Sequence, residues 1–251
     1  IIKKEMRGVP HYLLNVANPK RKFTVSQYQK LALAAIKKIH TKGKIPFMVG
    51  GSGFYIQSVI DQVSIPKVKP NWKLRKELDG KSNKDLYKML LKVDPERVKN
   101  IDKNNPRRLI RALEIVLKTN KPVPPLKLGC PTPHQFSVLE IGIIKKPNEL
   151  KRAIHKRLHK RLEMGMVEEI KKLRKSGLSW KRLEELGLEY RFVAQYLQGK
   201  LTYQEMVDKL QKEHEHFAKR QMTWFKRNKR IKWIESYKET EKLIKNFIRA
   251  S

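Results

Sequence analysis

The sequence predicts an α/β domain with a parallel sheet, interrupted by a mostly helical insertion. Three observations carry that reading. Residues 24–60 run helix, strand, glycine turn, helix; residues 65–133 lose their strands and fill with prolines; and Ser137–Ile144 reads as a strand returning to the sheet.

Between Thr24 and His40, Tyr28, Leu31, Ala32, Ala35, Ile36 and Ile39 recur at helical spacing. Gly43 stops that helix, and Ile45–Val49 reads as a short buried strand. Gly50-Gly51-Ser52-Gly53 follows, then a second helical pattern through Tyr55, Ile56, Val59 and Ile60. Prolines at 66, 70, 95, 106, 122, 124, 125, 131 and 133 punctuate short helical patterns in the insertion. Asn148 is the expected N-cap of one long helix carrying Leu150, Ile154, Leu158, Leu162, Val167, Ile170 and Leu173, ended by Gly177. Further helices are expected over Ser179–Leu186, Arg191–Leu197 and Thr202–Phe225, with a last strand at Ile231–Ile234. The expected organisation is a core of residues 1–64 and 137–235, an insertion of 65–136, and a charged helical tail of 236–251.

Composition narrows the partner. The 251 residues include 58 Lys and Arg against 24 Asp and Glu, a net charge of +34. A charge that large points to a polyanion. Nucleic acid is favoured over a membrane surface, because there is neither a lone basic amphipathic segment nor a lipidation signal. Cys130 is the single cysteine, which excludes an internal disulfide and a cysteine-based zinc site and suits a reducing, cytoplasmic setting. No apolar run approaches the roughly 18–20 residues of a membrane helix. Ile1–Glu5 does not read as a signal peptide, and the chain opens without Met in what reads as mid-domain sequence.

Several motifs carry chemistry, each beside a plainer alternative. Ala218–Arg227 packs four cations, two adjacent aromatics, Gln221 and Thr223 into ten residues. Cations neutralise phosphates, aromatic faces accept unstacked bases, and Gln and Thr bond to base edges. The same run also reads as an amphipathic helix end with Met222 and Phe225 in the core. Val49–Gly53 can bring backbone N–H groups and a helix N-terminus to a phosphate, with Ser52 as a further donor, or can be a tight turn without a ligand. Gly80-Lys81-Ser82 mimics the end of a P-loop, but Arg75 stands where that motif needs its first glycine. Arg157 and Arg161 lie one helical turn apart, a spacing that suits a phosphate clamp or a solvated face. His155 and His159 share that spacing, and without a third ligand a metal site is not expected there. Asn105–Glu114 opens a helix bearing Arg107, Arg108 and Arg111, and Gly187–Arg191 sets Tyr190 and Arg191 beside a glycine turn.

Taken together these segments resemble the tRNA dimethylallyltransferases, also called tRNA isopentenyltransferases. They stand in order: Gly8-Val9-Pro10-His11; Val49–Gly53 with Tyr55; Asn105–Glu114 with Lys121-Pro122; Arg157 and Arg161 with Met164-Gly165; Gly187–Arg191 with Tyr196-Leu197; and Ala218–Trp224. The resemblance spans residue 1 to about Glu235, and the Lys-Arg-Gln-x-Thr-Trp run is its most specific part.

The resemblance implies a P-loop NTPase-like core. It also implies transfer of a dimethylallyl group from dimethylallyl diphosphate to N6 of the adenosine 3′ of the anticodon, with Mg2+ assisting loss of diphosphate. It places Arg161 at the reaction centre with Arg157 close by, and Gly50, Gly51, Ser52 and Gly53 at a substrate-phosphate turn. Ser52, Arg107, Arg108, Arg111, Tyr190, Arg191, Lys219, Arg220, Gln221, Thr223 and Trp224 fall in the segments that grip the tRNA anticodon stem-loop. It assigns no metal ligand in this chain, and a monomer is expected. Departures stand beside the likeness. The family's P-loop and general-base Asp precede the segment matching Met6–His11, so the chain is expected to be an incomplete catalytic unit, inactive alone. Tyr12 and Asn15 stand where His and Asp are more usual, and Glu189 replaces a common Gly. A non-catalytic RNA-binding protein of the same fold remains the alternative, and a small-molecule P-loop kinase relative accounts for the glycine turn alone.

Overall fold

The computed structural model describes residues 6–124 and 137–250. In chain order they form α1 (Val25–His40), α2 (Gly53–Ile60), α3 (Trp72–Asp79), α4 (Asn83–Val93), α5 (Pro95–Val98), α6 (Pro106–Thr119) and β1 (Ile141–Ile143). There follow α7 (Pro147–Glu163), α8 (Met166–Lys175), α9 (Trp180–Leu186), α10 (Leu188–Leu197), α11 (Tyr203–Phe225), β2 (Lys232–Ile234) and α12 (Tyr237–Ala250). The described fold is mostly helical with a small parallel sheet. Two compact units divide it, one of Ile1–Ile60 with His134–Ser251 and one of Asp61–Pro133. Cys130 and the insertion's Pro125, Pro131 and Pro133 lie outside the described residues.

In the first unit β1 and β2 pair in parallel, with Ile141 opposite Lys232 and Ile143 opposite Ile234. The strand expected at Ile45–Val49 is not formed. A strand needs a ladder partner, and none among the described residues runs beside this segment, which leaves Phe47 67% and Val49 94% exposed. The strand expected over Ser137–Ile144 shortens to the three residues that face β2. Helix ends follow local chemistry. Thr24 accepts from the Gln27 N–H while the Gln27 side chain accepts from the Thr24 N–H, and Thr202 and Glu205 repeat that box at the start of α11. Asn148 is not the cap of α7. Pro147 takes the first helical position, where its missing N–H costs nothing, and so shifts the boundary to Lys146. The long helix expected to reach Gly177 breaks at Gly165, whose φ of +88° ends α7 and starts α8. The apolar stripe survives the break, since Leu158, Met166 and Ile170 share one core with Leu183, Val193, Ala194, Met206 and Leu210.

The second unit has its own core of Leu78, Leu86, Leu90, Val98, Leu109, Ile110, Ala112 and Leu113. Asn105 caps α6 by accepting from the Arg108 N–H, with Pro106 at its first position. Glu114 is fully buried on the same helix. Arg75 grips it with two hydrogen bonds of 2.8 and 2.6 Å, Arg111 binds the same carboxylate, and the Asn71 N–H donates at 2.6 Å. Burial pushes that carboxyl up, but these donors outweigh it and hold it below its ordinary 4.5. Gly80 and Ser82 only end α3 and cap α4, as expected of a false P-loop.

Candidate active site

The glycine turn is seated from two sides within the first unit. From α1, Tyr28 lays its ring 4.6 Å from Tyr55, and Gln29 Nε2 donates to Ser58 O at 2.6 Å, which fixes α2. From α11, Gln221 Nε2 donates to Gly51 O at 3.0 Å. A Cβ on Gly51 would overlap that amide, and one on Gly53 would lie 2.7 Å from Trp224 Cγ. Close approach of the Trp224 ring, rather than an unusual backbone angle, therefore favours glycine at 53, while at 51 a side chain would displace the Gln221 amide from its bond to the turn. Gln221 and Trp224 are thus joined to the turn, while Ser52 is exposed between the two glycines.

About two to three turns back along α11, a charged cluster joins three helices. Arg161 in the last turn of α7 donates from Nη1 to Glu189 Oε1 at 2.9 Å, and His214 Nε2 lies 3.5 Å from the same oxygen. Glu189 sits in the first turn of α10, where the helix dipole favours a carboxylate. The His214 ring beside it first, then its own backbone N–H and the Arg161 guanidinium, overcome burial and hold the Glu189 carboxyl at about 2. Beside it Tyr190 donates to Glu169 at 2.7 Å, and burial together with that acceptor pushes the phenol up to about 12. His214 and Gln221 are seven residues apart on α11, hence on one face and about 10 Å along the axis. The helix thereby lines up the arginine cluster with the glycine turn.

The remaining sequence-predicted residues are spread more widely. Arg157 is exposed on α7, and Lys219, Arg220 and Thr223 are exposed on α11. The Arg220 guanidinium stands 5.9 Å from the Phe217 ring, an exposed aromatic that sequence reasoning passed over. Arg191 is exposed and donates to Glu184 O at 3.4 Å. Within the second unit Arg107 and Arg108 are exposed, whereas Arg111 is taken up by Glu114 and the carbonyls of Pro66 and Val68. Glu189 entered the sequence reading only as a departure, and His214 not at all. The seven-residue spacing from His214 to Gln221 was the signal available for the latter.

The His155 and His159 rings lie 4.2 Å apart, tilted by 40°, and among the described residues no three His, Cys, Asp or Glu side chains converge on a metal. Of the three buried acids among them, Glu114 is bound by arginines, Asp94 accepts from the N–H groups of Arg97 and Val123, and Asp61 stands at the start of the second unit. The described residues thus supply no ready ligand set for magnesium. No described helix is long and apolar enough to cross a membrane.

The family model for IPP transferase matches residues 1–228. The chain belongs to the IPP transferase family. A tRNA dimethylallyltransferase of Carboxydothermus hydrogenoformans is 37% identical over 254 residues, covering 97% of this chain and 81% of that protein. The full-length tRNA isopentenylpyrophosphate transferase of Bacillus halodurans superposes with a TM-score of 0.69 at 31% identity, over 100% of this chain and 80% of that one. The corresponding enzyme of Staphylococcus epidermidis gives 0.68 at 28%, over 100% and 84%. Membership in the IPP transferases makes this chain a relative of transferases that modify tRNA by prenyl transfer. The family match ends before β2 and α12.

Proposed function

We propose that this IPP transferase moves a dimethylallyl group from dimethylallyl diphosphate to N6 of the adenosine 3′ of the anticodon. The N6–C1 bond forms, the C1–O bond breaks, diphosphate leaves with the electron pair, and one N6 proton is lost. The observation that supports this most is that α11 carries contacts to both the glycine turn and the Arg161 cluster, all within residues matched by the family. In this reading Arg161 neutralises charge that builds on the departing diphosphate, a stabilisation largest where water is excluded. The turn residues Gly50, Gly51, Ser52 and Gly53 supply backbone and hydroxyl donors to substrate oxygens. Lys219, Arg220 and Thr223 on α11, with Arg107 and Arg108 of the second unit, meet tRNA phosphates, and the base is extruded so that its amine reaches the allylic carbon.

The test incubates the full-length gene product with unmodified tRNA, magnesium and dimethylallyl diphosphate, and reads digested nucleosides by mass spectrometry. An isopentenyl mass gain on adenosine is the expected result. Tight tRNA binding with no gain would replace this reading with that of an RNA-binding module.

A further inference from the structure

We propose that Glu189 is the positioning residue for Arg161, and that His214 is the second donor that lets Arg161 leave its carboxylate for a diphosphate. The proposal deepens the transferase reading and rests on it. Arg161 is a long side chain in the last turn of its helix, with 35% of its side chain exposed. Without a fixed partner it would sample many rotamers. Glu189, at 21% exposure, is such a partner, since its own carboxylate is held by the start of α10 and by α11.

The arrangement has a particular exchange property. Arg161 and His214 converge on one oxygen, Oε1. When a guanidinium leaves a partly buried carboxylate, the usual penalty is an unpaired charge. Here His214 stays behind on that oxygen, so Arg161 can turn to an incoming diphosphate without stranding Glu189. The carboxylate also lowers the local positive potential, which weakens idle binding of free diphosphate while the guanidinium waits in place.

Position and charge make opposite predictions for one substitution, and that separates this role from a structural one. Glu189→Ala frees Arg161 and removes a negative charge. Inorganic pyrophosphate, titrated calorimetrically, is expected to bind about five- to tenfold tighter. At saturating tRNA, kcat is expected to fall about 10- to 100-fold through lost alignment. Glu189→Gln keeps an acceptor oxygen and side-chain volume without the charge. It is expected to retain the tighter pyrophosphate binding and to recover most of kcat. Loss of kcat without a gain in pyrophosphate affinity, in Ala and Gln variants alike, overturns the proposal in favour of a merely structural contact. Unchanged kcat in Glu189→Ala, with Arg161→Ala crippled, overturns the positioning role alone. Absence of prenyl transfer by the unaltered protein overturns the transferase reading and this proposal with it.

Discussion

Replacing Gly53 with Ala adds one methyl group where Trp224 already stands. The new Cβ would lie 2.7 Å from Trp224 Cγ and nearer still to Cδ1 and Nε1, against about 3.5–4.0 Å for carbons in contact. Two effects oppose each other. Gly53 is the first residue of α2, and Ala is favoured over Gly in a helix by up to about 1 kcal/mol. Overpacking of a formed contact costs about 1–3 kcal/mol, and a gap of roughly 1 Å must open against a half-buried indole whose helix is anchored elsewhere. The overlap therefore wins, with a net loss of about 1–2 kcal/mol. Urea denaturation reads the loss directly, and the midpoint of thermal unfolding is expected to fall by about 2–4 °C for each kcal/mol. The decisive variant is the double one, Gly53→Ala with Trp224→Ala. Removing the indole relieves the overlap, so the pair should be more stable than the summed single costs by at least about 1 kcal/mol. A Gly53→Ala protein as stable as the parent, or strict additivity in the double, refutes the seating of Trp224 on the turn.

Other consequences are equally direct. Glu114→Ala in the second unit leaves Arg75, Arg111 and the Asn71 N–H facing an empty site and is expected to cost about 3–5 kcal/mol in urea unfolding; a loss below about 1 kcal/mol would show the cluster to be dispensable. Glu189 is held at about 2, below its ordinary 4.5, so its contribution is complete above 4.5 and is lost as pH falls toward 2. The parent protein should lose on the order of 3 kcal/mol more stability over that window than Glu189→Gln, and parallel acid unfolding curves would contradict the pairing. Binding of tRNA, measured by filter retention, should weaken at least about tenfold between 50 and 200 mM salt, and Lys219→Ala should reduce the log–log slope by about 1. A flat salt response would remove the exposed cations from the interface.

Much of the helical frame was legible in the sequence because its signals are local. Thr24, Ser179 and Thr202 each announce a helix start by a side chain that satisfies N–H groups three residues on. The break at Gly165 was not legible, because the apolar stripe of α7 runs on into α8 without a missed beat. Apolar periodicity records the face that is buried, not the dihedral of one residue between two helices. The strand expected at Ile45–Val49 failed for the opposite reason, since apolar β-branched composition encodes willingness to pair but not the partner. At the site, the sequence marked Gln221 and Trp224 as significant through their type and crowding. It could not say that they face Gly51 and Gly53, 170 residues apart in the case of Gln221 and Gly51. Such pairings are set by tertiary approach.

The cations of this chain divide into two kinds, and the division follows from their partners rather than their number. Arg111 and Arg161 are matched to carboxylates at short range. A matched guanidinium contributes little net charge to a distant phosphate, and what it gains from its partner is direction. Lys219, Arg107 and Arg108 are exposed, as is Arg220, which stands 3.9 Å from the Glu213 carboxylate at the surface. An exposed cation is hydrated and screened within about 10 Å at ordinary salt, so it contributes charge to a polyanion but little geometry. The net +34 therefore overstates the charge held in place at the site and understates how specifically it is aimed. If the proposed transfer holds, the geometry that meets the diphosphate comes from Arg161, because a guanidinium already aimed by Glu189 has a position to defend when the substrate arrives, whereas the exposed cations bring charge without direction.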